Sequence, residues 1–415
     1  MSTTINATHA AEDHIAPAPR VSVQAFCETV ETAAAIQAAG EDRRLAKAHL
    51  KIQMGGVAAA IEAYRGSSTP NVIILETESR GDAILAGLDS LAEVCDSGTR
   101  VLVIGRQNDV LLYRELTRRG VSDYLIAPVG TLDVVRSICG LYSSPDAKAV
   151  GRIIAVVGAK GGVGASTIAH NVAWAIARDL QLDTVVADLD LGFGTASLDF
   201  NQDPPQGIAD AVFSPERIDN NFVERLLSKC TDHLTLLAAP ATLERVYDFS
   251  PEAFDSILDS LRTTMPFTVL DVPHLWTGWT RHTLIAADEI VIVATPDLAN
   301  LRNAKSMLDL LKASRPNDRH PFYLLNNVGV PKRPEITSAD FAKALVDQPI
   351  AVIPFEPQLF GAAANNGQMI AELSASHRTA ESFRQLAQML TGRSETKKSK
   401  SSLFSPFLGK LLKRA

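Results

Sequence analysis

The segment that most constrains this chain is Arg152–Ala173, where an apolar run (RIIAVVG) meets a glycine-rich turn and then an apolar helical pattern. The turn reads Ala159-Lys160-Gly161-Gly162-Val163-Gly164-Ala165-Ser166-Thr167, and Ile168-Ala169 and Asn171-Val172-Ala173 carry the helix onward. Strand, glycine-rich loop and helix in that order is the setting in which a loop cradles phosphate. Glycines let successive N–H groups converge on oxygen atoms, and the helix N-terminus adds a favourable dipole. A hydroxyl at the end of the loop suits a magnesium ion. A bare βα connection needs neither the lysine, nor the Ser-Thr pair, nor three glycines in four positions.

Downstream the alternation of strand and helix patterns continues to about Leu390. Thr184–Leu191 (TVVADLDL) ends in Asp188 and Asp190, and Phe267–Leu270 runs into Asp271 and Pro273. Ala286–Asp297 holds a further buried strand, followed by a helix over Leu301–Leu311; Pro321–Asn327 carries Asn326, and Ile350–Glu356 carries Pro354. A carboxylate at one strand end is commonly just solvated; the ordered set is the signal. Upstream, strands are expected at Arg20–Phe26, Ala48–Gln53, Asn71–Glu76, Arg100–Ile104 and Asp123–Ala127. Helices are expected at Thr29–Ala39, Val57–Tyr64, Val110–Arg119 and Leu132–Tyr142. Asn71–Glu76 (NVIILE) is apolar almost throughout, as for a parallel strand covered on both faces. Five βα units fit a flavodoxin-like sheet. The expected organisation is a leader over 1–19, a first domain over 20–142, a linker over 143–150, a second domain over 151–392 and a tail over 393–415.

Composition narrows the function. Small polar and Pro-containing residues make 1–19 a disordered leader, with no basic stretch before an apolar core to mark a secretory signal. No run of about 18 apolar residues suggests a spanning helix. Four scattered cysteines without a CxxC pair suggest reduced thiols in a cytoplasmic protein and argue against a metal or iron–sulfur centre. Net charge is −7, yet residues 393–415 hold seven basic residues and one acidic, leaving −13 on the rest. So acidic a body argues against DNA as a partner.

The loop resembles the deviant Walker A pattern xKGGxGK[ST] of the ParA/MinD family of P-loop ATPases. The resemblance covers about 152–390 and implies a doubly wound P-loop sheet binding ATP with Mg2+. It implies that Gly161, Gly162, Val163, Gly164, Ala165, Ser166 and Thr167 line the phosphates. Lys160 matches the signature lysine that reaches a partner's nucleotide across a homodimer. Ser166 matches the magnesium hydroxyl, with Asp271 (the Walker B acid) and Asp188 beside the ion. Asp190 matches the acid that orients the attacking water. Asn326 matches the adenine contact, and Pro354 lies in the loop that passes the base. Ala165 departs from the pattern: it stands where the family has a lysine on the β- and γ-phosphates. An alanine supplies no charge to a developing transition state, so binding with weak or absent hydrolysis is expected. A second departure follows Pro273, where His274-Leu275-Trp276 replaces an expected glycine. Trp276 and Trp279 read as packing.

Residues 20–142 resemble a response-regulator receiver domain, but none of its four chemical positions is kept. Glu76 stands at the phosphorylated aspartate, Ala25-Phe26-Cys27 ends strand one without an acidic pair, and Gly105 and Ala127 occupy the Ser/Thr and Lys positions. This implies a pseudo-receiver for docking or dimerisation. The pairing of such a domain with an AKGGVGAST loop resembles the CpaE/TadZ pilus-assembly group. That implies a factor for a tight-adherence (Flp-type) pilus or secretion machine, partnered by its components at a cell pole or the inner face of the membrane. An active ATPase positioning cell-division or chromosome and plasmid partition cargo is the alternative. A nitrogenase-type reductase would need cluster cysteines where only Cys230 lies, and a bacterial tyrosine kinase a tyrosine-rich tail, whereas no Tyr follows Tyr323. In the tail, Leu403, Phe404, Phe407, Leu408, Leu411 and Leu412 share one helical face beside lysines. An anionic membrane surface and docking on protein both fit.

Overall fold

The computed structural model describes residues 14–143, 150–240, 242–245 and 247–393. Residues 144–149 of the expected linker over 143–150, and residues 394–415 of the expected tail over 393–415, lie outside the described residues.

The first sheet comprises β1 (Val21–Cys27), β2 (Ala48–Met54), β3 (Val72–Glu76), β4 (Arg100–Gly105) and β5 (Asp123–Ile126), in the order β2-β1-β3-β4-β5. Every pairing in it is parallel. All five residues of β3 are buried, as a central strand with helices on both faces requires. Its alternating side chains divide between two cores: Ile74 packs with Ile104 and Val135 on one face, Ile73 and Leu75 with Leu91 and Val103 on the other. The order is that of a flavodoxin-like fold.

The second sheet holds β6 (Arg152–Gly158), β7 (Thr184–Asp188), β8 (Ser228–Lys229), β9 (Leu234–Leu237), β10 (Phe267–Val272), β11 (Glu289–Ala294), β12 (Phe322–Val328) and β13 (Val352–Pro354). Their order is β13-β12-β11-β6-β10-β7-β9-β8, and only β8 runs antiparallel. The edge hairpin β8–β9 was not foreseen, because strands of two and four residues are too short to show a period. Central β6 sends Ile153, Ala155 and Val157 to one core and Ile154 and Val156 to the other. From β6 the chain runs outward to β7 and β9, returns through β10 beside β6, and continues on the other side of β6 with β11. Such a reversal of strand order leaves a crevice at the carboxyl ends of the strands, where α/β sheets bind ligands.

Part of the expected leader is packed. Ile15 lies against the first core, and Ala18 is buried and donates its N–H to the Arg44 carbonyl at 2.9 Å. The polar composition of the segment conceals these two apolar anchors.

The two sheets meet through charge. Arg43 and Arg44, in a short 3-10 turn after the first helix, reach Asp318, and Arg43 also donates to the Ala286 carbonyl at 3.1 Å. Arg262 and Arg315 complete the cluster from the second unit, Arg262 meeting Asp288 at 2.6 Å and Arg315 meeting Asp318 at 2.8 Å. Asp288 in turn accepts the N–H of Ile153 at 2.8 Å, beside the start of β6. The contact therefore sits at the amino ends of the strands. The glycine-rich loop lies at the other end of β6, ~20 Å away at the usual rise per residue.

Candidate nucleotide site

The loop between β6 and the helix Ala165–Asp179 is fixed by bonds to its own carbonyls. His274 Nδ1 meets the Gly158 carbonyl at 2.8 Å, Asn303 Nδ2 donates to the Ala159 carbonyl at 2.9 Å, and Asn326 Nδ2 donates to the Val163 carbonyl at 2.8 Å. The Ala159 N–H donates to Val293 at the end of β11. With those carbonyls engaged, the loop offers an anion its N–H groups and the N-terminus of a 15-residue helix. Gly162 and Gly164 have φ of 78° and 86°, a region that glycine enters without strain. A Cβ on Gly164 would also stand 2.6 Å from Asn326 Nδ2.

Lys160, Gly161 and Gly162 are exposed; Val163 is buried, and Gly164, Ala165, Ser166 and Thr167 are half-buried. Below the loop the carboxyl ends of β7 and β10 bring Asp188 and Asp271 into parallel register, both buried. The Asp188 carboxylate accepts the N–H of Asp190 at 3.0 Å and of Ala196 at 3.1 Å, seating the loop after β7. A Cβ on Gly194 would lie 2.3 Å from Asp188 Oδ2, so only glycine lets the loop close so near. Burial, then the charge of Asp271, push the Asp188 carboxyl up from its ordinary range. Two buried carboxylates at adjoining strand ends are oxygen donors of the kind a divalent cation favours. Asp190 is half-buried and accepts the Phe193 N–H at 3.0 Å. Asn326 Oδ1 is buried with no partner among the described residues, an acceptor free for an amino group such as that of adenine. Pro354 is exposed at the end of β13, beside β12. The predicted residues of the loop, β7, β10 and β12 thus gather at one end of the sheet, and they fit a nucleotide and a metal ion.

His170, Asp199, His274 and Asn303 were missed. His170 lies four residues after Ser166, hence on the same face of the helix, and that spacing was the available signal. Its Nδ1 meets Asp199 Oδ2 at 2.7 Å and its Nε2 faces Asp271 Oδ2 at 3.4 Å, with the ring wholly buried. Burial opposes its charge, but the neighbouring carboxylates of Asp199 and Asp271 outweigh burial and raise the imidazolium pKa to about 10. The tryptophans divide. Trp279 is buried against Phe254 at 4.8 Å, while Trp276 stays half exposed on a cavity of about 290 Å³ that also touches Ala159, His274 and Met307.

A family profile described as "AAA domain" matches residues 151–319. The septum site-determining protein MinD of Synechocystis is 29% identical over 163 residues, 39% of this chain; the chain spans 60% of that protein's length. A solved ParA family ATPase of Chlorobium tepidum is 23% identical, with 59% of this chain and all of that one covered at a TM-score of 0.52. A solved chain of the pilus assembly protein CpaE of Caulobacter crescentus is 45% identical over its whole length and 32% of this chain, with a TM-score of 0.31. Motif, strand order and relatives agree: the chain belongs to the ParA/MinD family of P-loop ATPases.

Proposed function

We propose that this protein is an ATP-dependent assembly and localisation factor for a tight-adherence (Flp-type) pilus or secretion machine. In this reading it binds ATP and Mg2+ and works as a nucleotide-switched homodimer with weak or no hydrolysis. Ala165 is the observation that carries the switch over the motor. The loop N–H groups and Lys160 hold the phosphates, Ser166 and Asp271 hold the magnesium ion with Asp188 behind them, and Asp190 orients water. Asn326 and Pro354 flank the base. Bound metal would supply charge neutralisation at the β- and γ-phosphates. Without a lysine at 165, the protein lacks the group that would meet charge developing there. Losing one such contact costs roughly two to three orders of magnitude in rate.

Support for the pilus role is the pairing of a receiver-like sheet with the AKGGVGAST loop, together with the 45% sequence identity to a CpaE chain. On this reading 20–142 is a pseudo-receiver. Glu76 stands where a receiver would carry its phosphoryl group, and its carboxylate is consumed instead by the N–H groups of Glu28 and Thr29, both at 2.8 Å, and by the hydroxyls of Thr29 and Thr32. Residues 151–392 form the ATP-binding domain, joined by a linker over 143–150. The machine's components, at a cell pole or the cytoplasmic face of the membrane, are the partners.

Affinity for ATP and turnover, measured on one preparation, test the proposal. Saturable Mg2+-dependent binding with turnover far under ~1 s⁻¹ is expected. Turnover at that level, the ordinary range of enzymes, would favour an active ATPase positioning other cargo.

A further inference from the structure

We propose that His170 is a positioning residue for the metal site: its buried ring holds the Asp271 carboxylate in place and ties it to the loop that follows β7. The inference rests on the reading of this end of the sheet as an ATP–Mg2+ site.

Three parts of the site meet at this one ring. His170 comes from the helix that begins at the glycine-rich loop, Asp271 from the end of β10, and Asp199 from the short helix Ala196–Asp199 beyond the Asp190 turn. Nδ1 is in full hydrogen-bonding contact with Asp199, which fixes the plane of the ring; Nε2 is buried and lacks a hydrogen bond, with Asp271 Oδ2 at 3.4 Å as its facing group. Nε2 faces the Asp271 carboxylate directly, and through that contact the ring orients the acid. Each ring nitrogen therefore faces a carboxylate oxygen, which accepts when ionised.

A purely structural role is a poor account of this residue. An apolar side chain would fill the same space beside Phe200, whose ring lies 5.4 Å away, without desolvating a charge. Groups behind a metal's own ligands orient them, and their loss lowers metal affinity by about 10- to 100-fold. His170 has that place relative to Asp271. Through Asp199 it also joins the metal acid to the segment carrying Asp190, so metal binding and the seating of that segment are coupled in one contact.

The test is the affinity of the full-length protein for ATP, by calorimetry, with Mg2+ and with EDTA. For His170→Leu the gain from Mg2+ should shrink at least about tenfold, while affinity in EDTA stays within about twofold. Asp199→Ala, which frees the ring without removing it, should lower the same gain about threefold, a partial version of that loss. It decides the matter where His170→Leu fails to fold by circular dichroism. A gain from Mg2+ unchanged in the folded variants, or affinity lost equally in Mg2+ and EDTA, overturns the proposal and leaves His170 as packing. Wild-type protein that binds ATP no better with Mg2+ than with EDTA would instead overturn the metal-site reading beneath it.

Discussion

Lys160 stands exposed on the loop, and its charge helps hold the Asp297 carboxyl below its ordinary range. Burial opposes that shift, and hydrogen bonds from Asn300 and Thr295 supply most of it. A long cationic side chain that forms no ion pair among the described residues, at such a place, suits a task outside its own subunit. Lys160→Ala should therefore weaken the ATP-favoured homodimer more than it weakens ATP binding by the monomer. Light scattering with and without ATP, beside calorimetry, reads both quantities; masses indifferent to ATP or to Lys160 would refute the dimer. The sequence was most legible at residues of this kind. Lys160, Ser166, Asp188 and Asp271 belong to motifs whose spacing carries their chemistry. Asp199, His274 and Asn303 were not legible, because each acquires its role from a group far along the chain, and His170 offered only its spacing from Ser166. Asn303 reaches the Ala159 carbonyl across 144 positions, and His274 the Gly158 carbonyl across 116.

Elements were read well where burial is two-sided and poorly where it is local. Strands such as Val72–Glu76 and Phe267–Val272 announce themselves as apolar runs, since parallel strands are covered on both faces. The helix expected at Leu301–Leu311 extends to Leu298–Ser314, because the side chain of Asp297 caps it by accepting from the Asn300 N–H. The Asp297 cap precedes the apolar pattern, so periodicity alone starts the helix late. Short helices between β7 and β9 give too few turns to show a stripe. The tail raises the same issue beyond the described residues. Its six apolar side chains recur at helical spacing next to Lys397, Lys398 and Lys400. A helix that short is marginal in water without a surface to bury its apolar side, and each nearby lysine adds about 1 kcal/mol at an anionic membrane. The full chain should co-sediment with anionic vesicles and the chain lacking 393–415 should not. Equal binding by both would assign the tail to a protein partner or to none.

At the scale of the molecule, the glycine-rich loop and the contact between the two sheets lie at opposite ends of β6, so the first unit leaves the nucleotide face uncovered. What joins the units is a buried set of arginines and aspartates, and its logic is electrostatic. Burial alone would raise the Asp288 carboxyl, yet Arg262, His14 and Arg43 more than reverse this and hold it well below the ordinary range. Burial also opposes the fall at Asp318, where Arg43, Arg315 and Arg44 prevail. For a depressed acid, stability is present above the unfolded value of about 3.9 and is lost as pH falls through the folded value. The contact should therefore hold from neutrality down to about pH 4 and loosen below it. Removing one partner of a buried pair leaves charge uncompensated and costs about 3–5 kcal/mol; Arg262 and Arg315 remain beside these acids, which puts Arg43→Ala near the lower end of about 3 kcal/mol. Denaturant unfolding at pH 7 should show that loss, and its difference from wild type should shrink as the acids protonate. ATP affinity should stay unchanged, since the substitution lies a full strand length from the loop. A loss under about 1 kcal/mol, the range of exposed pairs, would mean that the two units are held together by something other than this cluster.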